Sequence, residues 1–314
     1  MIDSLLTRRT LQASALALLT AVSACSKQEP AAQAPTAQTP AATEATPPVA
    51  ADELAASIAG DWRKAEDKAR DQYRHPKESL EFWGLAPGMT VLEVQPGAGW
   101  WSDILAPYAH RTGGKFYATA TDLLNPAVTE AGRKDRADFE AHFAAKPDVY
   151  GQVQFVNFGS KSAPLPENTF DLALSARSFH GWMGSDGIAD RFLKDIYGAL
   201  KPGGIFAIEQ HRANPGPQDP TAESGYVTEE YVIEQAKKAG FELVDRSEIN
   251  ANPKDTKDHP FGVWTLPPTK RTRPYSEGEA ANDPKFDRAK YDAIGESDRM
   301  TLKFRKPVTA GATT

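Results

Sequence analysis

The chain has 314 residues, with 36 lysines and arginines against 42 aspartates and glutamates, so its formal net charge is −6. No run of basic residues is long enough to follow a phosphate backbone, which argues against a nucleic acid as the main partner. A hydrophobic fraction of 40% and a mean hydropathy of −0.50 indicate a soluble globular body and argue against a bundle of membrane helices.

The first 24 residues have the layout of a secretory signal peptide. Arg8 and Arg9 precede an apolar run that is too short to span a bilayer, and small residues follow before Cys25. The run Val22 to Cys25 resembles the bacterial lipobox, which implies cleavage before Cys25 and a lipid on its thiol; an ordinary signal peptide with a chance cysteine is the alternative. Ser26 resembles the pattern of outer-membrane sorting in Gram-negative bacteria. The resemblance predicts an exported lipoprotein that faces the periplasm and touches the membrane only through its anchor.

The export route stays open between two pathways. The run TRRTLQ resembles a twin-arginine signal, and it also fits the generic basic start of a signal peptide. Cys25 is the only cysteine in the chain. If its thiol carries a lipid, the mature body has no free thiol, which excludes thiolate metal sites, disulfides and cysteine nucleophiles.

Residues 25–51 form a predicted tether behind the signal peptide. They are rich in Ala, Pro, Thr and Gln and lack aromatic residues, so they cannot bury enough apolar surface to offset chain entropy. We therefore expect one folded domain over 52–308, followed by a disordered tail over 309–314. The domain opens with helical spacing that Pro76 interrupts. The residues that carry this spacing are Leu54, Ile58, Trp62 and Ala65.

After this helical segment, predicted strands and helices alternate. Strands separated by helices of this length form a mostly parallel sheet, and the last two strands, with no helix between them, predict an antiparallel C-terminal strand. The fold class is therefore α/β, a Rossmann-like doubly wound sheet with helices on both faces. The predicted strands are 89–94, 113–121, 152–158, 170–176, 203–210, 241–249 and 299–307. The predicted helices are 100–109, 130–146, 188–200 and 228–240.

A long loop, 250–297, separates the last two predicted strands. It is rich in prolines and charged residues. Loops of this length inside a domain are usually functional or mobile.

The stretch 91–101 (VLEVQPGAGWW) predicts a buried strand, a glycine turn and the start of a helix. In doubly wound sheets a ligand binds beyond the carboxyl ends of the strands, where glycines let the backbone approach it closely. Gly97 and Gly99 fill two of three glycine positions, Gln95 occupies the first, and Glu93 ends the strand. This pattern resembles motif I of class I S-adenosylmethionine (SAM)-dependent methyltransferases; a glycine turn of any other Rossmann-like protein is the alternative.

Three further landmarks fall in the order of that superfamily. LAPGMTVLEV contains the Pro-Gly turn that commonly precedes motif I, LPENTFDLALSARSFHGW resembles the fourth-strand segment, and ALKPGGIFAIEQH is close to the turn before the fifth strand. This match runs from about 87 to 241. Over the whole mature domain, the chain resembles a bacterial family of exported predicted methyltransferases without an assigned substrate. The resemblance implies SAM as the cofactor.

The resemblance also implies which residues hold the cofactor. Glu93, Gly97 and Gly99 match the motif, whereas the Gln95 side chain either blocks close approach or hydrogen-bonds the ligand. The acid that binds the ribose hydroxyls after the second strand is not in place, and Asp122, about two residues late, is the candidate. FGSKS replaces the acid usually found after the third strand.

Catalytic candidates follow the fourth and fifth strands. His180 lies where related enzymes place methyl acceptors and is a candidate general base near neutral pH; a structural loop histidine is the alternative. Glu209 and His211 point to the same side of the fifth strand and are candidates to orient the acceptor; a solvated strand end with a local ion pair is the alternative. No spacing motif supports a metal site.

Several further side chains are weaker candidates. Tyr73 and Arg74 are candidates for a lid. Candidates to receive an anionic acceptor, or otherwise solvated loop charges, are Arg177, Lys270, Arg271 and Arg273.

Two functions stay open. One is methyl transfer from SAM to a small or lipid-like acceptor, in which the protein aligns the acceptor and removes its proton. The other is a non-catalytic envelope protein that keeps the fold for another ligand, because the usual cytoplasmic synthesis of SAM implies that the periplasm contains little of it. A hydrolase is not supported, since the sequence has no Gly-x-Ser-x-Gly turn. The sequence does not name the acceptor, the methylated atom or the oligomeric state.

Overall fold

Strands and helices alternate along the chain in a computed structural model that describes residues 48–274 and 283–308. The strands are β1 Thr90–Val94, β2 Lys115–Thr121, β3 Gln154–Phe158, β4 Phe170–Ala176, β5 Leu200–His211, β6 Glu242–Ser247, β7 Pro260–Val263 and β8 Arg299–Arg305. The helices are α1 Pro48–Ala59, α2 Ala65–Lys68, α3 Asp71–Arg74, α4 Pro76–Trp83, α5 Ser102–Arg111, α6 Glu130–Ala144, α7 Pro147–Tyr150, α8 Phe179–Met183, α9 Ile188–Ala199, α10 Glu229–Lys238 and α11 Ala289–Ile294.

Some predictions concern residues outside these ranges. In the described part of the chain, no helix has the length and apolar character needed to cross a membrane. The predictions that lie outside the described residues are the signal peptide 1–24, Cys25 with the tether as far as residue 47, and the tail 309–314.

Seven of the strands form one sheet in the order β3-β2-β1-β4-β5-β8-β6. The first five pair in parallel, whereas β8 pairs antiparallel with β5 on one side and β6 on the other. The order reverses between β1 and β4, and a ligand site of a doubly wound sheet lies at such a reversal. The predicted α/β class, the mostly parallel sheet and the antiparallel C-terminal strand are confirmed.

Helices cover both faces because the central strands are apolar on both sides. Val91 of β1 belongs to a core cluster that includes residues of α1, α4, α5, α6 and α7. Leu92 belongs to a second cluster that includes residues of α8, α9 and α10. This split follows from the alternation of side chains along a strand. Such double burial explains why the strands are near-continuous apolar runs in the sequence.

The N-terminal helical segment differs from its prediction. One helical spacing was expected to run from Leu54 to Ala65, but α1 ends at Ala59 and Trp62 lies in a turn. The Trp62 indole donates a hydrogen bond to the carbonyl of Asp103, 2.8 Å away, so its burial comes from a tertiary contact. Apolar spacing alone did not reveal the break, which Gly60 marks in the sequence.

The described parts of the predicted long loop, 250–274 and 283–297, contact the N-terminal segment and β8. The loop contains β7 and α11, and Asn250 near its start binds both Ser79 of α4 and Thr301 of β8 through Nδ2, at 3.1 and 2.9 Å. The Nδ1 atom of His75 lies 3.2 Å from Oδ1 of the same asparagine. These bonds hold the loop and the N-terminal segment against each other.

A buried arginine completes this junction. Arg299 at the start of β8 is fully buried, and its Nη1 donates to Glu209 at 2.5 Å. Its Nη2 donates to Glu296 at 2.9 Å and to the carbonyl of Tyr73 at 3.1 Å. One guanidinium therefore joins β5, β8, the long loop and the N-terminal segment.

Replacing Arg299 by Met should lower the free energy of unfolding by roughly 3–5 kcal/mol, because Glu209 and Glu296 would remain buried and each would lose its fully buried charge partner. Arg305→Met is the matched control on the same strand, since the Arg305–Glu242 pair is about half exposed and such pairs contribute less than about 1 kcal/mol. Urea denaturation at neutral pH measures both. Equal losses in the two variants would contradict a structural role for the buried network.

Candidate active site

The glycine turn 95–101 joins β1 to α5. Gly97 and Gly99 have φ angles of +59° and +83°, which L residues with a side chain rarely adopt. A Cβ at Gly99 would come within 3.1 Å of the Phe139 ring, whereas a Cβ at Gly97 would meet nothing within 4 Å. Gly99 therefore serves packing, and Gly97 presents an open backbone face that a ligand can approach.

Gln95 keeps the backbone geometry of the glycine that it replaces. Its φ is +53°, in the left-handed region. Its backbone N–H donates to Oγ1 of Thr119 at 2.7 Å, and its side-chain oxygen accepts from the Trp182 indole at 2.7 Å. The side chain is thus held by a defined bond, and its amide nitrogen retains two donors.

Two cavities meet at this turn and share Gln95 and Gly97. The first, of about 410 Å³, lies toward β4 and β5, and the second, of about 330 Å³, lies toward β2 and β3. The first is walled by the N-terminal segment, by the ends of β4 and β5 and by the long loop. Residues that represent these three walls are Arg70, Arg74, Arg177, His180, His211, Trp264, Pro267, Glu296 and Ser297.

The structure brings His180 and His211 together on the wall of the first cavity. Their ring centroids are 5.7 Å apart. Burial lowers the pKa of His180. Burial lowers the pKa of His211 further, with help from the charges of His180, Arg177 and Arg299. Both imidazoles are therefore neutral at pH 7.

The bonds around His180 fix which of its nitrogens carries the proton. The Gln210 side chain accepts from the Phe179 N–H at 3.2 Å, and its Nε2 donates to the Gly225 carbonyl at 3.1 Å. The same Nε2 lies 3.2 Å from Nδ1 of His180, so Nδ1 is the acceptor. The proton of the neutral ring is then on Nε2, and His180 is a hydrogen-bond donor with no free lone pair for a base.

His211 makes one short bond to the long loop. Its Nδ1 lies 2.6 Å from Oγ of Ser297. When Nδ1 donates to that hydroxyl, the lone pair of Nε2 is available to accept a proton. His211 is therefore the better placed of the two histidines for a base.

Glu209 is not on the wall of either cavity. It is fully buried, and its carboxylate accepts from Arg299, from Arg177 at 3.2 Å and from the Trp101 indole at 3.3 Å. Burial alone would raise its pKa, but the charges of Arg299 and Arg177 outweigh burial and lower it. Glu209 is a permanently ionised part of the buried network, and the strand end is not solvated as the alternative interpretation supposed.

Glu93 lies buried beneath the glycine turn. The Ser102 hydroxyl donates to it at 2.5 Å, and burial raises the pKa of Glu93 from 4.5 to about 8, with Ser102 and Arg177 opposing. A carboxyl group of this kind is neutral at pH 7 and ionises readily when a cation binds nearby. Its chemistry therefore suits the sulfonium and ammonium groups of SAM.

Asp122 is turned away from the second cavity. Its carboxylate accepts from the N–H of Leu124 at 3.0 Å in the turn that follows β2, and its side chain is buried there. The acid that lines this cavity is Asp135 of α6, which sequence reasoning missed. No motif marks Asp135, since it becomes a neighbour of the turn only through the packing of α6 on the sheet.

Other parts of the described structure do not add a metal site. Within residues 48–274 and 283–308, no group of three or more His, Cys, Asp or Glu side chains is arranged to hold a metal ion.

Comparisons with known proteins agree with this geometry. Residues 92–208 match the family model described as a methyltransferase domain. The chain is similar to the ubiquinone/menaquinone biosynthesis C-methyltransferases of Shewanella sediminis (29% identity over 130 residues) and Hydrogenovibrio crunogenus (28% over 132 residues). These alignments cover 41% and 42% of this chain and 45% and 46% of the relatives, so the chain spans about half the length of the curated relatives it matches.

The solved structures to which the chain is similar include two methyltransferases. A SAM-dependent methyltransferase from Aquifex aeolicus has 24% identity and a TM-score of 0.44, over 58% of this chain and 87% of that one. An arsenic(III) S-adenosylmethionine methyltransferase from Chlamydomonas reinhardtii has 17% identity and a TM-score of 0.44, over 85% of this chain and 76% of that one.

Residues 92–208 thus match a methyltransferase domain, and the strand order and the glycine turn have the form expected from the resemblance to class I SAM-dependent methyltransferases. SAM is the cofactor of this class, and the open face at Gly97 and the chemistry of Glu93 fit it. The match over 92–208 supports the methyltransferase domain and the cofactor that the sequence predicts. The exported lipoprotein family stays a prediction.

The stability of the protein should depend on the protonation of Glu93. Because the folded state holds this proton up to about pH 8, while an unfolded carboxyl loses it near 4.5, stability falls as pH rises through this window. Glu93→Gln should match the wild type at pH 4.5 and exceed it at pH 8.5, by up to several kcal/mol. Urea denaturation at both values measures the difference.

Glu248→Gln serves as the control for this pH dependence. Its bond to Arg212 lowers the pKa of Glu248, so its effect should be flat from pH 4.5 to 8.5. If Glu93→Gln also gives a flat difference, Glu93 is ionised in the folded protein and the argument for its neutral state is wrong.

Proposed function

We propose that this protein is a SAM-dependent methyltransferase that acts on a small-molecule acceptor bound in the first cavity. The observation that supports this most strongly is the open backbone face of Gly97 between the two cavities, inside a segment that matches a methyltransferase domain. The relatives named above methylate carbon in quinone biosynthesis by their names, which supports a small or lipid-like acceptor. The match does not favour the non-catalytic alternative.

The residues around the turn would hold the cofactor. Gly97 would supply close approach, Gln95 would offer its amide donors, and Glu93 would supply a carboxylate for the sulfonium and amino groups, while Gly99 lets the turn pack against Phe139. Asp135 is better placed than Asp122 to bind hydroxyl groups in the second cavity. When bound, SAM supplies a methyl group on a positively charged sulfur, which needs an aligned acceptor more than it needs activation.

The two histidines would divide the work on the acceptor. His180, with its proton on Nε2, donates a hydrogen bond that orients the acceptor. His211, with its lone pair on Nε2, takes the acceptor proton where one must leave, and its lowered pKa keeps it neutral beforehand. Glu209 acts through Arg177 and Arg299, which it holds in place, and it does not touch the reacting atoms.

Gly97→Val should weaken binding of S-adenosylhomocysteine by at least about 100-fold, because a side chain would occupy the open face. Isothermal calorimetry with SAM and S-adenosylhomocysteine measures this. Gly113→Val is the matched control, since Gly113 also has a positive φ (+75°) and open space at its Cβ, but lies away from both cavities. Wild-type protein that binds neither ligand at millimolar concentration would overturn the methyltransferase assignment.

We also propose that the mature protein is a lipoprotein exported to the periplasm and held, in a Gram-negative bacterium, on the outer membrane. The run before Cys25 supports this proposal. Labelling cells with a palmitate analogue should modify the wild type and leave Cys25→Ala unlabelled, because that thiol is the only one in the chain. Equal labelling of the two proteins would rule out the anchor.

A further inference from the structure

The first cavity has more arginines than carboxylates around it. Arg70, Arg74 and Arg177 line it, and Arg299 lies behind them. Glu296 accepts from Arg70, Arg74 and Arg299 at 2.6, 2.9 and 2.9 Å. Glu209 accepts from Arg177 and Arg299. Four guanidinium groups therefore share two carboxylates.

The neighbouring titratable groups do not cancel this excess. The carboxylate of Asp67 lies 3.4 Å from Arg70 and compensates one of the two excess positive charges, so one positive charge remains. His180 and His211 have lowered pKa values and are neutral. Glu93 is neutral at pH 7 because its pKa is raised to about 8. The empty site is therefore electropositive.

Arg74 carries an unmet hydrogen-bonding demand in the same place. Its side chain is only 2% exposed, and it lines the cavity. Its Nε pairs with Glu296, its guanidinium lies 4.7 Å from the centre of the Trp100 ring, and its Nη1 has no partner. A buried N–H without an acceptor costs free energy that a ligand oxygen would recover.

The cofactor does not neutralise this wall. SAM has an ammonium, a sulfonium and a carboxylate, which sum to one positive charge at pH 7. The pKa of Glu93 is about 8, so its ionisation beside a bound cation would offset that charge and no more. The excess around Arg74 therefore persists in the complex, and a second anion would relieve it.

We propose, on the basis of the methyltransferase function above, that the acceptor carries a carboxylate or phosphate group that binds Arg74 and Arg70. Planar guanidinium groups bind such anions through paired hydrogen bonds. The wall formed by the long loop holds Trp264, Pro267 and Pro268, so the rest of the acceptor is apolar and flat enough to pack against them. The acceptor is an apolar or aromatic acid.

Arg63 provides a matched control for Arg74. Both side chains are buried, and both pair with an acidic residue. The guanidinium carbon lies 5.1 Å from the Trp100 ring centre in Arg63 and 4.7 Å in Arg74. Each side chain also has one buried nitrogen without a partner. Arg63 does not line the cavity. A loss that is merely structural should therefore appear in both variants.

The test measures binding of benzoate, phenyl phosphate and neutral benzamide to the full chain by calorimetry, with saturating S-adenosylhomocysteine. The wild type should bind at least one anion about ten-fold more tightly than benzamide. Arg74→Met should lose this preference and Arg63→Met should keep it. If Arg74→Met does not fold, as thermal unfolding would reveal, Arg70→Met takes its place, because Arg70 is more exposed.

Three results would overturn the proposal. The first is a wild-type protein that binds the anions no more tightly than benzamide. The second is an Arg74→Met or Arg70→Met variant that keeps the preference for the anions. The third is anion binding that S-adenosylhomocysteine abolishes, because Arg74 would then bind the carboxylate of the cofactor. Failure of the proposed function itself is distinguishable. In that case S-adenosylhomocysteine does not bind the wild type, while the anion preference, measured without it, still depends on Arg74.

Discussion

The arrangement of the site depends on one buried guanidinium. Arg299 is fully buried, and a charge in such a place persists only when it is paired and hydrogen-bonded. Its partners are Glu209, 90 residues earlier, and Glu296, together with the carbonyl of Tyr73, 226 residues earlier. Because a lost partner would leave a buried charge, all of these segments must keep their positions together. The cavity lies between them and takes its shape from this constraint.

The two sides of the site have different origins in the chain. The cofactor side is built from β1, β2 and the glycine turn, which lie within the matched segment 92–208 except for the start of β1. Much of the first cavity comes from outside that segment, from the N-terminal helices and from the long loop between β6 and β8. Similarity to known methyltransferases therefore indicates which cofactor the protein binds. The chemical class of the acceptor must be inferred from this chain's own arginines and aromatic residues.

The sequence predicted those features that depend on local pattern. Double burial made the strands apolar runs, and the sequence placed His180 and His211 after the fourth and fifth strands. The two histidines lie together because β4 and β5 are neighbours whose carboxyl ends share one edge of the sheet. It could not predict that Glu209 is paired with Arg299, since that pairing depends on the position of β8 between β5 and β6. It also gave no sign of Asp135 on the wall of the second cavity, because Asp135 reaches that wall on a helix, while Asp122 bonds within its own turn.

Gln95, the most visible departure from the family motif, connects the two sides. A residue with a side chain in the left-handed region costs roughly 1–2 kcal/mol, and a hydrogen bond contributes about 0.5–1.5 kcal/mol net. The bond from the Trp182 indole therefore offsets much of that strain. Trp182 belongs to α8, which also carries His180. A glycine would give the usual turn without this bond, so the glutamine couples the cofactor turn to the helix that faces the acceptor.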